Sequence, residues 1–436
     1  MERMVRCTDF GIFISRRASK RTWWEGFGFL HFATAAAVEP VRMFTLLSMS
    51  FSSWGLMNRI HLSRFPIVLF LLACSMALVA QDQLLDKALT VPPKYVGDYG
   101  KFRSPLKFDD GATVRTPGDW DRRRAEIFSD WEKLLGRWPP LITSPELREL
   151  ATKRRDGFLQ KKIQFQWTPN TWTTAYLLIP DDIPKGEKRP AVLTVYYEPE
   201  TAVGLGKENR DFAYQLTKRG FVTLSIGTTE ATAAKTYSLY WPSIDEVKVQ
   251  PLSMLAFAAA NAWYVLASQA QVDSRRIGVT GHSFGGKWAL FAACLFDKFA
   301  CVAVSDPGIV FDTRPSVNYW EPWYLGWVPK PWRTRGVVTK ENPAQGLYPK
   351  LIEQGRDLHE LHALLAPRPF LVSGGSEDSP ERWRALNHTI AIDKLLGYEH
   401  RVGMTNRAHH SPTPESNMVL YAFFERFLKQ KTPLQK

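Results

Sequence analysis

A serine flanked by glycines is the clearest chemical signal in this chain, in the sequence Gly281-His282-Ser283-Phe284-Gly285. This is a G-x-S-x-G pentapeptide, in which the hydroxyl can act as a nucleophile on a carbonyl carbon. The apolar run Ile277–Thr280 precedes it, and a helix is predicted from Phe284 to Phe296. A strand, a tight turn and a helix in that order favour a nucleophile elbow, in which side chains at the two glycine positions would collide with neighbouring elements. The alternative is a glycine-rich turn in which Ser283 caps the helix.

The serine needs a base, because a hydroxyl is a poor nucleophile at neutral pH. In this kind of site the chain order is serine, acid, histidine, with the histidine in a late loop. His409 and His410 follow the predicted strand His400–Met404 and precede the predicted closing helix Ser416–Leu428. We interpret His410 as the base and His409 as a packing or hydrogen-bonding neighbour.

Two carboxylates compete for the role of orienting the imidazole. Asp378 lies just beyond the predicted strand Pro369–Ser373, which is the usual position for the acid. Asp306 ends the predicted strand Cys301–Ser305, and it could equally cap a helix or organise a loop. Glu377 is a third candidate, although it faces outward if Asp378 faces inward. The sequence favours Asp378 and leaves Asp306 open.

A serine nucleophile also needs hydrogen-bond donors for the oxyanion that develops in the transition state. The backbone N–H of Phe284, the residue after the nucleophile, is predicted to be the first donor. The second is expected from the loop after the strand Ala191–Tyr196, from either Tyr197 or Glu198. We expect neither a metal nor an organic cofactor, since this chemistry requires none and the sequence has no CxxC or HExxH spacing.

Strands and helices that alternate along the chain must position these groups. The predicted strands are nearly continuous apolar runs, which indicates a mostly parallel, doubly wound sheet with helices on both faces, in the α/β class. The remaining predicted elements are the helix Asp119–Gly136, the antiparallel pair Ile163–Trp167 and Thr173–Ile179, the helix Asp211–Arg219, the strand Phe221–Ile226 and the helix Pro251–Gln269.

We expect a wrapping segment with one helix over residues 81–150 and a catalytic domain over residues 151–436. An insert at residues 307–358 is rich in Trp, Tyr and Pro. Within this insert, Trp320 and Trp323 are predicted to form part of a lid or of a wall on which sugars stack. The alternative is a hydrophobic cap that touches no ligand.

Composition excludes several classes of protein. The chain has 436 residues, of which 45% are hydrophobic and 23% charged, and these fractions exclude disordered, collagen-like and coiled-coil proteins. The net charge of +13 is spread along the chain without a polybasic run, so nucleic acid is not an expected partner. Cys294 and Cys301 are the only cysteines in the sequence after Ala80, and they do not make a disulfide framework. Nothing in the composition indicates an oligomeric state.

Residues 57–80 are predicted to be a secretory signal peptide. Arg59 and Arg64 precede the apolar run Phe65–Val79, and small residues lead to a cleavage point after Ala80. The apolar run is shorter than the ~20 residues that a membrane-spanning helix needs. We therefore expect a secreted or periplasmic protein with no stable membrane insertion after cleavage.

Two further expectations concern the same region. The sequence Leu71-Leu72-Ala73-Cys74 resembles a lipoprotein cleavage box, so a lipid anchor is an alternative to free export. A signal peptide belongs at an N-terminus. We therefore expect that translation starts at Met57 and that residues 1–56 are a non-native upstream extension.

The residues around the serine resemble a known family. The stretch Asp273–Lys287 is similar to the elbow region of secreted α/β-hydrolases of the acetylxylan esterase and dienelactone hydrolase group. A narrower resemblance is to bacterial glucuronoyl esterases, which cleave the ester between glucuronoxylan and lignin. The likeness is good from Asp273 to Leu428 and looser from Trp120. The matching motifs are Ser283 with Lys287 in S-x-x-G-K, Asp306-Pro307-Gly308, Asp357-Leu358-His359, Ala363–Pro369, and His410 followed by Pro414-Glu415.

This resemblance implies an α/β-hydrolase fold, a substrate-binding role for Lys287, and an acid at Asp306 or Asp378. One position departs from the family, which has an arginine directly after the nucleophile where this chain has Phe284. The change removes a charge-assisted hydrogen-bond donor from the oxyanion site. The resemblance therefore implies an esterase more firmly than it names the ester.

The leading hypothesis is a secreted serine esterase that acts on acetyl or glucuronoyl esters of plant or algal polysaccharide. A second is a peptidase of the prolyl-oligopeptidase type, which shares the sheet and triad but usually carries a propeller, for which Gln81–Gln160 is too short. A third is a non-catalytic glycan-binding pseudo-hydrolase. Against the third, every triad position is occupied, whereas a decayed enzyme usually loses one.

Overall fold

The computed structural model describes residues 82–312, 321–336 and 338–430. Within these residues, nine strands form one sheet in the order β1-β2-β3-β5-β4-β6-β7-β8-β9. The strands are β1 (Leu147–Arg155), β2 (Phe158–Thr168), β3 (Thr171–Pro180), β4 (Arg189–Tyr196), β5 (Val222–Gly227), β6 (Val272–His282), β7 (Cys301–Ser305), β8 (Phe370–Gly374) and β9 (Val402–Asn406).

Helices precede, connect and follow these strands. A short helix over residues 82–88 comes first. The others are α1 (Pro117–Leu135), α2 (Phe212–Lys218), α3 (Thr229–Ala233), α4 (Pro251–Ala267), α5 (Phe284–Leu295), α6 (Leu347–Glu353), α7 (His359–Ala363), α8 (Trp383–Leu395) and α9 (Pro414–Phe424), and α9 continues as a π-helical turn over Glu425–Lys429.

The sheet confirms the predicted α/β class. Strands β5, β4, β6, β7, β8 and β9 are parallel, and β1, β2 and β3 extend one edge as antiparallel neighbours. The predicted pair around Pro169-Asn170 is present as β2 and β3, with Asn170 in the left-handed region at φ 62°. Strand β1 was not predicted, because Leu147–Arg155 is charged and largely exposed, and it crosses the boundary expected at residue 150.

Both faces of the sheet are covered, as a doubly wound fold requires. Side chains alternate across a strand. In β4, for example, Leu193 packs with α4 and α5 in one cluster, and Val192 packs with Phe212 of α2 and Phe424 of α9 in another. Because both faces are buried, the strands are continuously apolar.

The order in which the chain adds strands to the sheet reverses at β4. Strand β5 lies on one side of β4 and β6 lies on the other. In open α/β sheets, ligands bind beyond the carboxyl ends of the strands at such a switch point. The ends of β4, β6, β7 and β8 therefore define where the chemistry is expected.

Some sequence predictions fall outside the described residues. These are the signal peptide at residues 57–80, the start at Met57, and Trp320 of the insert. Within the ranges that are described, no helix is both long and apolar enough to cross a membrane.

Candidate active site

Ser283 lies on the sharp turn between β6 and α5. Its backbone has φ 56° and ψ −116°, which is strained for any residue with a Cβ, and its N–H donates to the carbonyl of Ser305 at 2.8 Å. A Cβ on Gly281 would overlap the backbone of Gly285, and one on Gly285 would overlap the carbonyl oxygen of Val195. Both glycines are therefore needed for helix and strand to meet this closely, as the sequence predicted.

The imidazole of His410 connects Ser283 to a carboxylate. Its Nε2 lies 2.7 Å from the Ser283 hydroxyl oxygen, and its Nδ1 lies 2.7 Å from Oδ2 of Asp306. These are hydrogen-bond distances for a nucleophile, a base and an orienting acid. The neighbouring His409 is exposed. The structure therefore brings together Ser283, His410 and Asp306.

Asp306 is fully buried and is held by backbone donors. Its Oδ1 accepts from the N–H groups of Gly375 at 2.6 Å and Asp378 at 2.8 Å, and its Oδ2 accepts from the N–H of Glu377 at 3.3 Å as well as contacting His410. All these donors come from the loop after β8. Because that loop fixes both oxygens, the carboxylate has one orientation in which to face the imidazole.

Asp378, which the sequence favoured as the acid, does not contact His410. Its carboxylate accepts from the N–H groups of Gly308 at 2.8 Å and Ile309 at 2.6 Å, and Nε of Arg382 lies 3.7 Å away. Burial, and then the neighbouring Asp306 carboxylate, raise the pKa of Asp378 above its usual value. Each acid thus binds the backbone of the loop that carries the other, and we call this arrangement the reciprocal clasp.

Adjacent strands explain why both positions looked suitable. Strands β7 and β8 pair in parallel from Val302–Phe370 to Ser305–Ser373, so the two loops begin side by side. A residue at either strand end can then reach the histidine loop. The choice depends on the turn after β7, where Asp306 adopts φ 50° and points at the imidazole.

Arg407 supports the histidine loop, and sequence reasoning did not single it out. Its guanidinium donates to the carbonyl of Ser373 at 2.7 Å, to the hydroxyl of Ser305 at 3.2 Å and to the carbonyl of His410 at 2.5 Å. It therefore ties the loop to the ends of β7 and β8. A single arginine three residues before the histidine was the only signal available in the sequence.

The segment after β4 lies against the start of α5, where the second oxyanion donor was predicted. The ring of Tyr197 stacks on Phe284 with centroids 4.4 Å apart and planes 15° apart. The carbonyl of Tyr197 accepts from the N–H of Thr228, and the Glu198 side chain accepts from the Thr201 hydroxyl at 3.4 Å. The stack holds the backbone of residues 196–198 beside the turn that carries Ser283.

Phe284 occupies a buried aromatic cluster and not an open binding surface. Its side chain has no exposed area, and its ring centre lies 6.2 Å from that of Trp288 and 6.0 Å from that of Tyr324. A guanidinium at this position would be surrounded by aromatic rings. Phe284, which stands where the family has an arginine, therefore packs as part of an aromatic cluster with Trp288 and Tyr324.

Lys287 is also an interior residue. Its ammonium donates to the carbonyl of Pro307 and lies 5.8 Å from the ring centre of Tyr324. Burial lowers the pKa of Lys287 to about 8, although Glu377 and Asp378 oppose the shift. The structure thus places the ammonium of this α5 lysine against the loop that carries Asp306.

His282, directly before Ser283, is buried beside His410, with ring centres 4.7 Å apart. Its Nδ1 lies 3.1 Å from the carbonyl oxygen of Ser305. Burial, reinforced by the neighbouring positive groups, holds the pKa of His282 well below its usual value. A neutral ring at this position would not add a second positive charge beside a protonated His410.

Trp323 of the insert packs against other aromatic rings. Trp323 is largely buried, with its ring centre 5.0 Å from that of Tyr237 and 5.9 Å from that of Tyr324. The guanidinium of Arg335 lies 5.5 Å from the Trp323 ring and 5.6 Å from the Tyr237 ring. Trp323 therefore packs mainly as part of a cap. Within the described part of the chain, no cluster of three His, Cys, Asp or Glu side chains is arranged to hold a metal ion.

These features define a chain with the α/β-hydrolase fold and a serine, a histidine and an aspartate in hydrogen-bond contact. Residues 258–434 match the family model described as the prolyl oligopeptidase family. The chain is 26% identical over 394 residues to a 4-O-methyl-glucuronoyl methylesterase 1 from Wolfiporia cocos, covering 84% of this chain and 90% of that protein.

Solved structures show the same fold. A glucuronoyl esterase from Solibacter usitatus aligns with TM-score 0.57 and 16% sequence identity, over 75% of this chain and 97% of that one. A Bacteroides fragilis protein named as a candidate acetyl xylan esterase aligns with TM-score 0.50 and 15% identity, over 73% and 83% of the two chains. The α/β-hydrolase fold and the resemblance to these esterases, both predicted from the sequence, are confirmed.

Proposed function

We propose that the protein is a serine esterase that hydrolyses carboxylic esters on plant or algal polysaccharide. The observation that carries the proposal is the single imidazole of His410, which lies 2.7 Å from both the Ser283 hydroxyl and the Asp306 carboxylate. The named relatives act on glucuronoyl esters, and this supports the choice of an ester of a sugar acid or an acetylated sugar.

In the proposed mechanism, the Ser283 oxygen attacks the ester carbonyl while Nε2 of His410 takes the hydroxyl proton. The tetrahedral intermediate collapses when His410 gives this proton to the leaving alcohol oxygen, which leaves an acyl group on Ser283. Water then attacks the acyl carbon and gives a proton to His410. The carboxylic acid leaves when this second intermediate collapses, and His410 returns the proton to the Ser283 oxygen. Asp306 holds the ring and stabilises its charged form.

The backbone N–H groups of Phe284 and Tyr197 are the proposed donors to the oxyanion. Both belong to segments that meet through the stacked rings of these two residues. Each such donor contributes roughly 3–4 kcal/mol in comparable sites. This chain has Phe284 where the family has an arginine that could donate to the oxyanion. Binding of the oxyanion is therefore proposed to depend on backbone N–H groups.

The proposal is tested by hydrolysis assays on the purified chain with four substrates: p-nitrophenyl acetate, acetylated xylan, benzyl glucuronate and a prolyl peptide. Ester hydrolysis that disappears in Ser283→Ala supports the esterase. Benzyl glucuronate and acetylated xylan separate the two ester classes. An enzyme that is inactive on all three esters contradicts the proposal.

A prolyl-oligopeptidase-type peptidase is the second candidate, because residues 258–434 match that family model. The matched residues begin within α4 and span β6 to α9, which is the part of the fold that peptidases and esterases share. The described residues before α4 form α1 to α3 and β1 to β5, and none of them builds a propeller. Cleavage of the prolyl peptide without ester hydrolysis would favour the peptidase.

Export is part of the proposal, since polysaccharide lies outside the cell. It depends on the predicted signal peptide at residues 57–80 and on the predicted start at Met57. N-terminal sequencing of the protein from its natural source tests both. A mature terminus at Gln81 is the expected result, and a peptide from residues 1–56 would contradict the predicted start.

A further inference from the structure

The candidate active site has two unlike sides. On one side, the rings of Tyr197 and Phe284 stack and continue into the aromatic cluster described above. On the other side, the ring of Tyr196 lies 6.3 Å from that of His282 with an angle of 26° between their planes, and the His282 ring lies 4.7 Å from that of His410. We call the surroundings of these last three rings the histidine side.

Arg210 brings a positive charge to the histidine side. Its Nη2 donates to the hydroxyl of Ser411 at 3.3 Å, and Ser411 directly follows His410 in the chain. The carbonyl of the preceding residue, Asn209, accepts from Nδ2 of Asn417 in α9 at 2.9 Å. The segment that leads into α2 is therefore held against both the histidine loop and the helix that follows it.

The charge of Arg210 acts on two of the three rings. Burial raises the pKa of Tyr196, and the positive charge of Arg210 opposes that rise, while Glu198 adds to it. Burial and the neighbouring His410 lower the pKa of His282, and Arg210 lowers it further. The guanidinium is therefore close enough to the histidine side for its charge to be felt there.

Arg210 has no carboxylate partner among the described residues. Its one hydrogen bond to them is the contact with Ser411, although the side chain is half-buried. Its Nε is enclosed without a partner, whereas the second terminal nitrogen is open to solvent. The adjacent Asp211 is engaged elsewhere, since its carboxylate accepts from Gln215 at 2.8 Å. Charged groups withdrawn from water are normally paired, so this guanidinium lacks a counter-ion.

The second arginine of the histidine side, Arg407, is already engaged. Its guanidinium donates to the carbonyls of Ser373 and His410. Burial lowers the pKa of Arg407, and the carboxylates of Asp306 and Asp378 oppose the shift. The charge of Arg407 is thus compensated within the protein, and the other guanidinium is the one that remains available to a ligand.

The position of Arg210 indicates which part of an ester it would contact. In the proposed mechanism His410 gives its proton to the leaving alcohol oxygen, so the alcohol part of the substrate lies beside His410, while the acyl part is bonded to Ser283. The N–H groups of a planar guanidinium match the two oxygens of a carboxylate. The alcohol of benzyl glucuronate carries no such group, whereas an acetylated sugar beside a uronate does.

We propose that Arg210 determines specificity by binding a carboxylate on the alcohol part of the substrate. The enzyme then selects acetyl esters on an acidic polysaccharide, in which a sugar near the acetylated one carries a uronate. This inference rests on the proposed function and chooses between the two ester classes that the function leaves open. The carboxylate supplies the counter-ion that Arg210 lacks among the described residues.

The first test is calorimetric titration of the full chain with two oligosaccharides that contain no ester: xylotriose bearing one 4-O-methylglucuronate, and neutral xylotetraose. We expect the acidic ligand to bind about tenfold or more tightly, with an advantage that shrinks as salt is added. Arg210→Gln should remove the advantage. Arg210→Lys should keep part of it, since it retains the charge without the planar fork. Arg275→Gln is the matched control, because Arg275 is exposed and pairs with Asp273.

The second test compares turnover of three acetyl esters of similar shape: 4-acetoxybenzoate, 4-acetoxybenzenesulfonate and the neutral 4-acetoxybenzamide. We expect the benzoate to have the highest kcat/KM, and Arg210→Gln to lower its ratio to the benzamide by about tenfold. The ratio cancels any loss of folded enzyme, so a purely structural defect would not change it. A sulfonate preferred to the benzoate would overturn the choice of a carboxylate.

Equal binding of the two oligosaccharides to the wild type, or an advantage that persists in Arg210→Gln, would overturn the inference. Faster hydrolysis of benzyl glucuronate than of any acetyl ester would also overturn it, and the esterase itself would stand. If no ester is hydrolysed but the acidic ligand still binds through Arg210, the proposed function fails and the carboxylate site is supported. The two failures are therefore distinguishable.

Discussion

The two ends of the sheet treat a buried carboxyl group in opposite ways. At the end that carries Ser283, Asp306 is completely buried and accepts three backbone N–H groups in addition to contacting His410. At the other end, Asp393 is almost as deeply buried, and its carboxyl oxygens have no hydrogen-bond partner among the described residues.

Asp306 is therefore fixed by hydrogen bonds, whereas the Asp393 carboxyl group accepts none from the described residues. A carboxylate fixed by several donors can orient a neighbouring ring, and this is what a catalytic acid must do. A carboxyl group without partners contributes nothing to folding and costs free energy.

Neutralising each acid of the reciprocal clasp in turn shows which of them orients His410. We expect Asp306→Asn to lower kcat by about 10⁴-fold, because the amide holds the imidazole in the wrong tautomer. Asp378→Asn should cost much less, because Asp378 acts only through the loop after β7. Steady-state kinetics on p-nitrophenyl acetate measure both. A larger loss in Asp378→Asn would show that the two roles are exchanged.

Phe284→Arg tests whether the missing family arginine can be restored. We expect it to lower the free energy of unfolding by at least ~3 kcal/mol, because it buries an uncompensated charge among Tyr197, Trp288 and Tyr324. Phe284→Leu is the matched control and should cost about 1–2 kcal/mol, since it only loses packing. Urea denaturation gives both values. An arginine variant as stable as the leucine variant would mean that the cluster is more open than described.

Arg407→Met should lower kcat by about 10- to 100-fold with little change in KM, because Arg407 positions His410 through its carbonyl and does not touch the substrate. Arg275→Met is the control, since Arg275 is exposed and pairs only with Asp273 among the described residues. A pH profile of kcat/KM adds a readout that a loss of folding would not shift. Equal activity of the two variants would remove Arg407 from the site.

At the other end of the sheet, Asp393→Asn should raise the free energy of unfolding. Burial raises the pKa of Asp393 to about 8, with Arg401 opposing the shift. Between pH 4 and pH 8 the folded state keeps a proton that the unfolded state has lost, so the free energy of unfolding falls as pH rises. Asparagine cannot ionise. The stability gained by the variant should therefore grow from pH 4 to pH 8 and then level off.

Thermal unfolding of the wild type and Asp393→Asn at a series of pH values measures this gain. The charged groups that line the cavity next to Asp393, namely Lys394, Glu399, His400 and Arg401, are present in both proteins, and Arg401 differs only through its interaction with the Asp393 carboxylate. A gain that does not change with pH would mean that Asp393 is already ionised in the folded protein.

The regular elements that carry the site were predictable because each has a strong local pattern. The elbow is one example, since Gly281 and Gly285 are required by contacts within a few residues and with the adjacent strand β4. Helix α8 was not predicted, because its buried face includes Asn387, His388 and Asp393 and so lacks an apolar period. The strand predicted at His400–Met404 begins two residues later at Val402, because His400 adopts φ 53°.

The identity of the acid was less accessible from the sequence. Whether Asp306 or Asp378 faces His410 depends on the pairing of β7 with β8 and on backbone donors about 70 residues away in the chain. No local pattern records such contacts. The unpaired state of Asp393 is hidden for the same reason, since its surroundings come from residues 89–99.

The central claim is that His410 activates Ser283, and covalent labelling tests it directly. The protein is treated with an alkyl fluorophosphonate, and the modified peptide and the rate of modification are measured by mass spectrometry. We predict one adduct, on Ser283, which forms at least about 100-fold more slowly in His410→Ala. An adduct on another serine, or labelling of Ser283 at an unchanged rate in the variant, would contradict the account.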